Sequence, residues 1–486
     1  MKRRQFLIQS SLAAMTAIAY HQLPSQSSPI YKQYKSYKSW KSNNSFLQGI
    51  NAPVFKEVDI TNLKISGHIP QELQGMYVRN GPNPMFKPSS YNYPLEGDGM
   101  LHGVYFNNGE VSYKNRWITT SGLVYEMFEG QELDELKFKN YANTNVIGYG
   151  DKLLALYEIG LPYEIDKNLD TIGEWNFQGQ LEQSMTAHPK LDPKTGELHF
   201  YRYSFFNAPY LHYYIADQNN TIIRETAIDI PRPVMFHDMV LTENYAIFFD
   251  CPLVFNLEQA KANKKPFLWQ PEQGTTIILV DRHDSNKKPI YIKTDPFWVW
   301  HFMNGFEENE KIVIDFVHYP EINMESHWQA ILSNKSNLQR MSIDLKTHAI
   351  VSEKLDDHYV DFPTINNEKL GQAYRFGYAP HIDTEILSKK QIPNYFPSLI
   401  QYDLAKNNHK IHQFKPGCYG GEAAFIPSGN GQSELDGYVV TFVYNENTQT
   451  SDFVIIDPNN FQSEPIATIH LPVRVPSGFH GNWIAG

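Results

Sequence analysis

Four of the 18 histidines, His188, His237, His301 and His480, stand at a common distance from a polar turn: each follows an Asp (Asp166, Asp217, Asp281 or Asp457) by 20 to 23 residues. Scattered histidines would fill such windows about once. Their surroundings are apolar or small: "SMTAHPKLD", "VMFHDMV", "FWVWHFMNG" and "SGFHGNW". Buried imidazoles without partners would each cost about 1–3 kcal/mol. A metal removes that cost, and imidazole suits iron, zinc, copper or nickel. An all-histidine set without thiolate or carboxylate is unlike a closed structural zinc site. Four neutral ligands leave two positions of an octahedral ion open, an arrangement that fits Fe(II) oxygen chemistry.

The elements that must position these residues repeat along the chain. From about residue 50 an apolar strand ends at Asp or Asn, a polar turn follows and a second strand begins. The turns fall at Asn107, Asp166, Asp217, Asp281, Asp344, Asp403 and Asp457, 51 to 64 residues apart. A strand pair cannot bury its own face, so seven pairs at this spacing predict an all-β, seven-bladed β-propeller rather than a sandwich, whose turns recur every 8–12 residues. Residues in equal phase occupy equal depth in their blades. If that depth is the innermost strand, all four imidazoles point at the central axis. His480 is then expected in the last blade, on the strand that closes the ring.

Composition agrees: 30 Tyr, 29 Phe and 8 Trp with dispersed Gly and Pro favour short strands and turns. The net charge of −11 argues against a nucleic-acid partner. Two cysteines, Cys251 and Cys418, exclude a disulfide framework, an iron–sulfur cluster and a Cys-built zinc ribbon; whether they pair stays open. Rossmann, P-loop, G-x-S-x-G and H-E-x-x-H patterns are absent. Residues 1–21, basic and then apolar with small residues near the end, read as an export signal. Arg3-Arg4-Gln5-Phe6-Leu7 is similar to a twin-arginine signal, which predicts export to a periplasm or equivalent lumen. A cytoplasmic, membrane-associated protein is the alternative. Residues 22–46 read as a Ser/Lys/Tyr-rich linker and 47–486 as the propeller domain.

The in-phase histidines, with "YVRNGPNP", "EGDGMLHGVYF", "ANTNVI", "LLALYEIGLPYEID", "TAHPKLDPKTGELHFYRY", "MFHDMVLTENYAIFFDCPL", "VDFPTIN" and "GGEAAF", resemble the carotenoid cleavage oxygenase family from about residue 50 to the end. The resemblance implies a propeller with a helical and loop dome over one axial Fe(II) per chain, held by His188, His237, His301 and His480. It also implies that Glu158, Asp361 and Glu422 accept the free ring N–H of three of these ligands, which fixes their tautomers. Asp361 stands where the family pattern has glutamate, so its hydrogen bond is expected to be longer, bridged by water or absent.

The resemblance further implies cleavage of a conjugated C=C bond by Fe(II) and O2 into two carbonyl products. The protein's part is then positioning in an apolar tunnel. Met235, Phe236, Trp300, Phe302 and Met303 are candidate walls, with strand alternation favouring Met235, Val299 and Met303. An apolar polyene partner implies peripheral membrane contact through an apolar patch, for which 205–214 and 264–274 are candidates; no obligate protein partner is implied. Within the family, the motifs resemble the apocarotenoid 15,15′-cleaving members, which give retinal-like products. A stilbene-cleaving oxygenase, a propeller that only binds ligand and a metal-dependent hydrolase remain alternatives.

Overall fold

Short strands with alternating burial dominate the architecture. In Glu110–Trp117, for example, Val111, Tyr113, Asn115 and Trp117 point inward while their neighbours do not. The computed structural model describes residues 39–486 except 90, 92–95, 131, 133–138, 263–264, 323, 325–335, 391–394 and 430–432. The segment expected to be an export signal (1–21) and the first part of the expected linker lie outside the described residues. Its last part makes contacts: the Trp40 indole donates to the Met85 carbonyl at 3.1 Å, and Phe46 is buried.

The described strands form seven sheets of four to six antiparallel strands, plus one two-stranded ribbon, Leu253–Phe255 with Phe267–Trp269. The seven sheets are the blades of a β-propeller. Five are local in sequence, each a four-stranded meander from an inner strand outward; in chain order these are the second to sixth blades. The first and seventh interlock the termini. Gly481–Ala485 pairs with Gly75–Pro82 as the innermost strand of the first blade, and Lys64–Gly67 forms the outer edge of the seventh against Ala467–Leu471. The strand after His480 thus closes the ring as expected, but inside the first blade rather than the last. Pairing a C-terminal strand with N-terminal ones removes the free edge that a purely sequential seventh blade would leave.

All seven turns from Asn107 to Asp457 join the third and fourth strands of their blades, counted from the axis. Their acids shape them: Asp281 Oδ1, for instance, accepts the amides of His283 and Asp284, both at 2.8 Å. Third–fourth turns all lie on one face. The connections into each inner strand, and those between second and third strands, therefore lie on the other. That face carries the helices Ser121–Glu129, Leu257–Lys261 and Thr384–Lys390 and forms the dome. Between blades the sheets pack through aromatic and β-branched side chains. The largest such cluster joins the fourth, fifth and sixth blades around Phe249, Phe297 and Phe316; each fully buried side chain of this size contributes about 1.5–3 kcal/mol. Among the described residues, no helix is long and apolar enough to cross a membrane. Both cysteines are free thiols, and Cys251 is buried.

Candidate metal centre

The entry of four inner strands brings the four histidines to the axis. His188 precedes Lys190–Leu191, His237 precedes Val240–Leu241 and His480 directly precedes Gly481–Ala485. His301 lies within Trp298–Glu308, whose register against Lys311–Tyr319 shifts between Val299 and Phe302 and again between Phe302 and Asn304. Such bulges re-aim side chains beside functional sites. All four histidines are buried, and one nitrogen from each lies within 4.8 Å of the others. The His188 ring centroid is 4.4, 5.3 and 4.5 Å from those of His237, His301 and His480.

Three carboxylates hold the outer nitrogens of these rings. His237 Nδ1 faces Glu158, His301 Nδ1 meets Asp361 Oδ1 at 2.7 Å and His480 Nδ1 meets Glu422 Oε1 at 2.8 Å. The carboxylates are anchored in turn. Glu158 accepts the Tyr203 hydroxyl at 3.1 Å and Asp361 the Tyr319 hydroxyl at 2.7 Å, while Glu422 Oε2 accepts the Gly481 amide at 2.7 Å. The expectation for Asp361 is overturned: the shorter side chain bonds His301 directly. Its Oδ1 also accepts the amide of Phe362, whose backbone is left-handed with φ 50°. This local turn, not side-chain length, sets the reach.

The electrostatics fit a cation. A neutral imidazole that donates Nδ1–H to a carboxylate carries a lone pair on Nε2. His237 and His301 bring their Nε2 atoms within 3.2 Å of each other. Two lone pairs there repel, whereas a shared ion with bonds of about 2.1 Å at right angles has ligand edges of about 3.0 Å. His188 Nε2 is buried without a hydrogen-bond partner, the kind of orphan a metal bond satisfies. Burial, then the neighbouring rings, hold His188 well below its usual pKa, so its imidazole is neutral. Burial likewise lowers His301, against the pull of Asp361. Burial alone would raise Asp361, but His301 and the Tyr319 hydroxyl keep it lowered and ionised.

A cavity of about 550 Å³ runs along the axis from this centre between the inner strands. His188, His301 and His480 border it with Asn145, Lys190 and Trp483. Of the proposed walls, Phe302 and Met303 line it; Met235, Phe236, Val299 and Trp300 are buried and do not. Phe236 packs between blades against Tyr201 and Tyr203, while Trp300 stands edge-on to His237 at 4.7 Å. The Phe302 ring itself packs on Phe249 and Phe316, centroids 4.9 and 6.1 Å away, whereas the Met303 side chain lies against Gly377 of the sixth blade. Phe362 was not among the candidates, yet it stacks on His301 at 4.8 Å and borders the cavity; its only sequence signal is adjacency to Asp361. On the dome face, Phe205 stacks on Phe255 at 4.5 Å and packs on Phe267 at 5.4 Å. Beside them Phe206 is 57% exposed and Leu257 42%, so the two candidate stretches 205–214 and 264–274 share one apolar patch.

Comparison with known proteins agrees with this architecture. The family model described as "RPE65: Retinal pigment epithelial membrane protein" matches residues 51–485. A carotenoid cleavage oxygenase of Mycobacterium tuberculosis is 30% identical over 495 residues, covering 91% of this chain and 98% of that protein. Isoeugenol monooxygenase of Pseudomonas nitroreducens is 31% identical over 469 residues, covering 91% and 98%. The crystal structure of Pseudomonas brassicacearum lignostilbene dioxygenase superposes with a TM-score of 0.85 at 27% identity, covering 92% of this chain and 100% of that one. With its seven blades and its match over residues 51–485, the chain belongs to the RPE65/carotenoid cleavage oxygenase family.

Proposed function

We propose that this protein is a non-haem Fe(II) oxygenase that cleaves a conjugated C=C bond with O2 to give two aldehyde or ketone products. The observation that carries this reading is the convergence of four imidazole nitrogens whose rings are braced from behind by Glu158, Asp361 and Glu422. His188, His237, His301 and His480 would hold one iron per chain. When bound, that iron supplies the one-electron chemistry that dioxygen requires. The residues of the chain contribute orientation and exclusion: the carboxylates keep Nδ1 protonated and Nε2 free, and Phe362 and Trp300 pack against the rings. The reaction needs no nucleophile from the protein, consistent with the lack of a nucleophile-elbow motif.

For the substrate we propose an apocarotenoid cut at the 15,15′ bond, with a retinal-like product. The apolar patch around Phe205, Phe206 and Phe255 supports an apolar polyene delivered through peripheral membrane contact. A second reading, cleavage of a stilbene or phenylpropenoid, draws on the lignostilbene and isoeugenol relatives. Export through the twin-arginine-like signal is proposed with either, since that route carries proteins already folded. The test is product analysis after aerobic incubation of iron-loaded protein with apocarotenals, a hydroxystilbene and isoeugenol. A retinal-like aldehyde supports the first reading, and aromatic aldehydes alone support the second. No carbonyl product from any of them contradicts both.

A further inference from the structure

A second group of metal-ligating side chains lies away from the axis. Asp356 and His358 sit in the connection from the fifth blade to the sixth, and His409 lies on the sixth blade's outer strand, Asn408–Gln413. One donor atom from each falls within 4.8 Å of the others. His358 Nδ1 lies 2.9 Å from Asp356 Oδ1 and 3.1 Å from its Oδ2, and His409 Nδ1 lies 3.9 Å from Oδ1. Asp356 Oδ2 accepts the Tyr402 hydroxyl at 2.8 Å, which fixes the carboxylate plane. His358 and His409 are 4.8 Å apart between ring centroids, and the His381 ring stands 5.2 Å from that of His358.

A plain hydrogen bond explains the Asp356–His358 pair. It does not account for His409, whose Nδ1 lies near the same carboxylate but beyond hydrogen-bonding range. A tetrahedral ion with bonds of about 2.1 Å has ligand edges of about 3.4 Å, and 2.9 and 3.9 Å bracket that value. Burial is graded as such a site requires: the Asp356 side chain is 7% exposed, while His358 and His409 are about 30% exposed at the rim, where water can complete the shell. Two imidazoles with one carboxylate suit zinc and its late first-row neighbours and not calcium or magnesium.

We propose that Asp356, His358 and His409 form a second, peripheral site for a divalent late first-row cation, zinc foremost. An ion there clamps the connection that, five residues on, carries Asp361 to His301. The same connection is tied to the sixth blade by the Val360–His381 bridge and by the Ile382 amide on the Tyr359 carbonyl at 2.7 Å.

The test is calorimetric titration of the iron-loaded full chain with Zn2+, with iron and zinc counted afterwards by elemental analysis. The site predicts one zinc bound per chain while the iron count stays unchanged. In His409→Gln and His358→Gln that zinc binds at least about tenfold more weakly, the smaller loss found when even an outer partner of a metal ligand is removed. His409 is at the rim, so H409Q keeps the test valid even if H358Q folds poorly. Equal zinc affinity in wild type and H409Q, or zinc gained only as iron is lost, overturns the proposal.

Discussion

His237 and His301 approach through their Nε2 atoms at 3.2 Å while their Nδ1 atoms face Glu158 and Asp361. The carboxylates select the tautomer that leaves both inner nitrogens as bare acceptors. An arrangement of this kind is repulsive alone and attractive around a cation, so the blades that meet at the axis depend on what is bound there.

Chelation should therefore destabilise the fold. A ligand present at a hundred times its dissociation constant stabilises by about 2.7 kcal/mol. Anaerobic treatment with a strong chelator is expected to lower the melting temperature, and Fe(II) to restore it. In His237→Ala the melting temperature should no longer respond to iron.

The bracing carboxylates carry part of the affinity. Asp361→Asn keeps the shape but cannot serve the His301 ring, the Tyr319 hydroxyl and the Phe362 amide as the ionised acid does. Iron affinity should fall about 10–100-fold, read by competition with a chelator, while circular dichroism stays that of the wild type. Tyr319→Phe, which removes only the anchor, should show a smaller loss.

Much of this was legible in the sequence because a propeller converts spacing into depth. The turns from Asn107 to Asp457 occupy one blade position, so histidines 20 to 23 residues beyond an Asp turn arrive together at the inner strands. What escaped depends on local backbone detail or on distant partners. The register shifts around Phe302 and the left-handed turn at Phe362 beside Asp361 leave no periodic trace in the residues themselves. Ring closure pairs Arg79 with Gly481, a partnership no local pattern announces. Tyr203 and Tyr319 resemble any other strand tyrosine until the carboxylates beside them are seen.

Ring closure offers a mechanical test. A Cβ on Gly481 would overlap the Tyr77 phenol on the neighbouring strand. Overpacking of this kind costs about 1–3 kcal/mol. Gly481→Ala should lower the denaturation midpoint accordingly and, because His480 is adjacent and the Gly481 amide holds Glu422, weaken iron binding as well. Adding Tyr77→Phe, which removes the overlapped oxygen, should recover part of the stability.

Acid sensitivity has a source outside the metal centre. Burial pushes His318 down to about 4 from its usual value near 6.5; it packs among Phe297 and Phe316, its Nδ1 without a hydrogen-bond partner. A depressed imidazole favours the folded state fully above the unfolded pKa, and that contribution is lost as pH falls from 6.5 through 4. The gap in melting temperature between pH 7.5 and pH 5 should therefore be narrower in His318→Phe than in wild type.

Iron K-edge X-ray absorption on the wild-type protein loaded anaerobically with Fe(II) tests the four-histidine site most directly. One iron per chain is expected, with four imidazole nitrogens bound and no carboxylate oxygen from Glu158, Asp361 or Glu422 on the metal. Failure to retain iron, or a spectrum with fewer than four imidazoles, would contradict it.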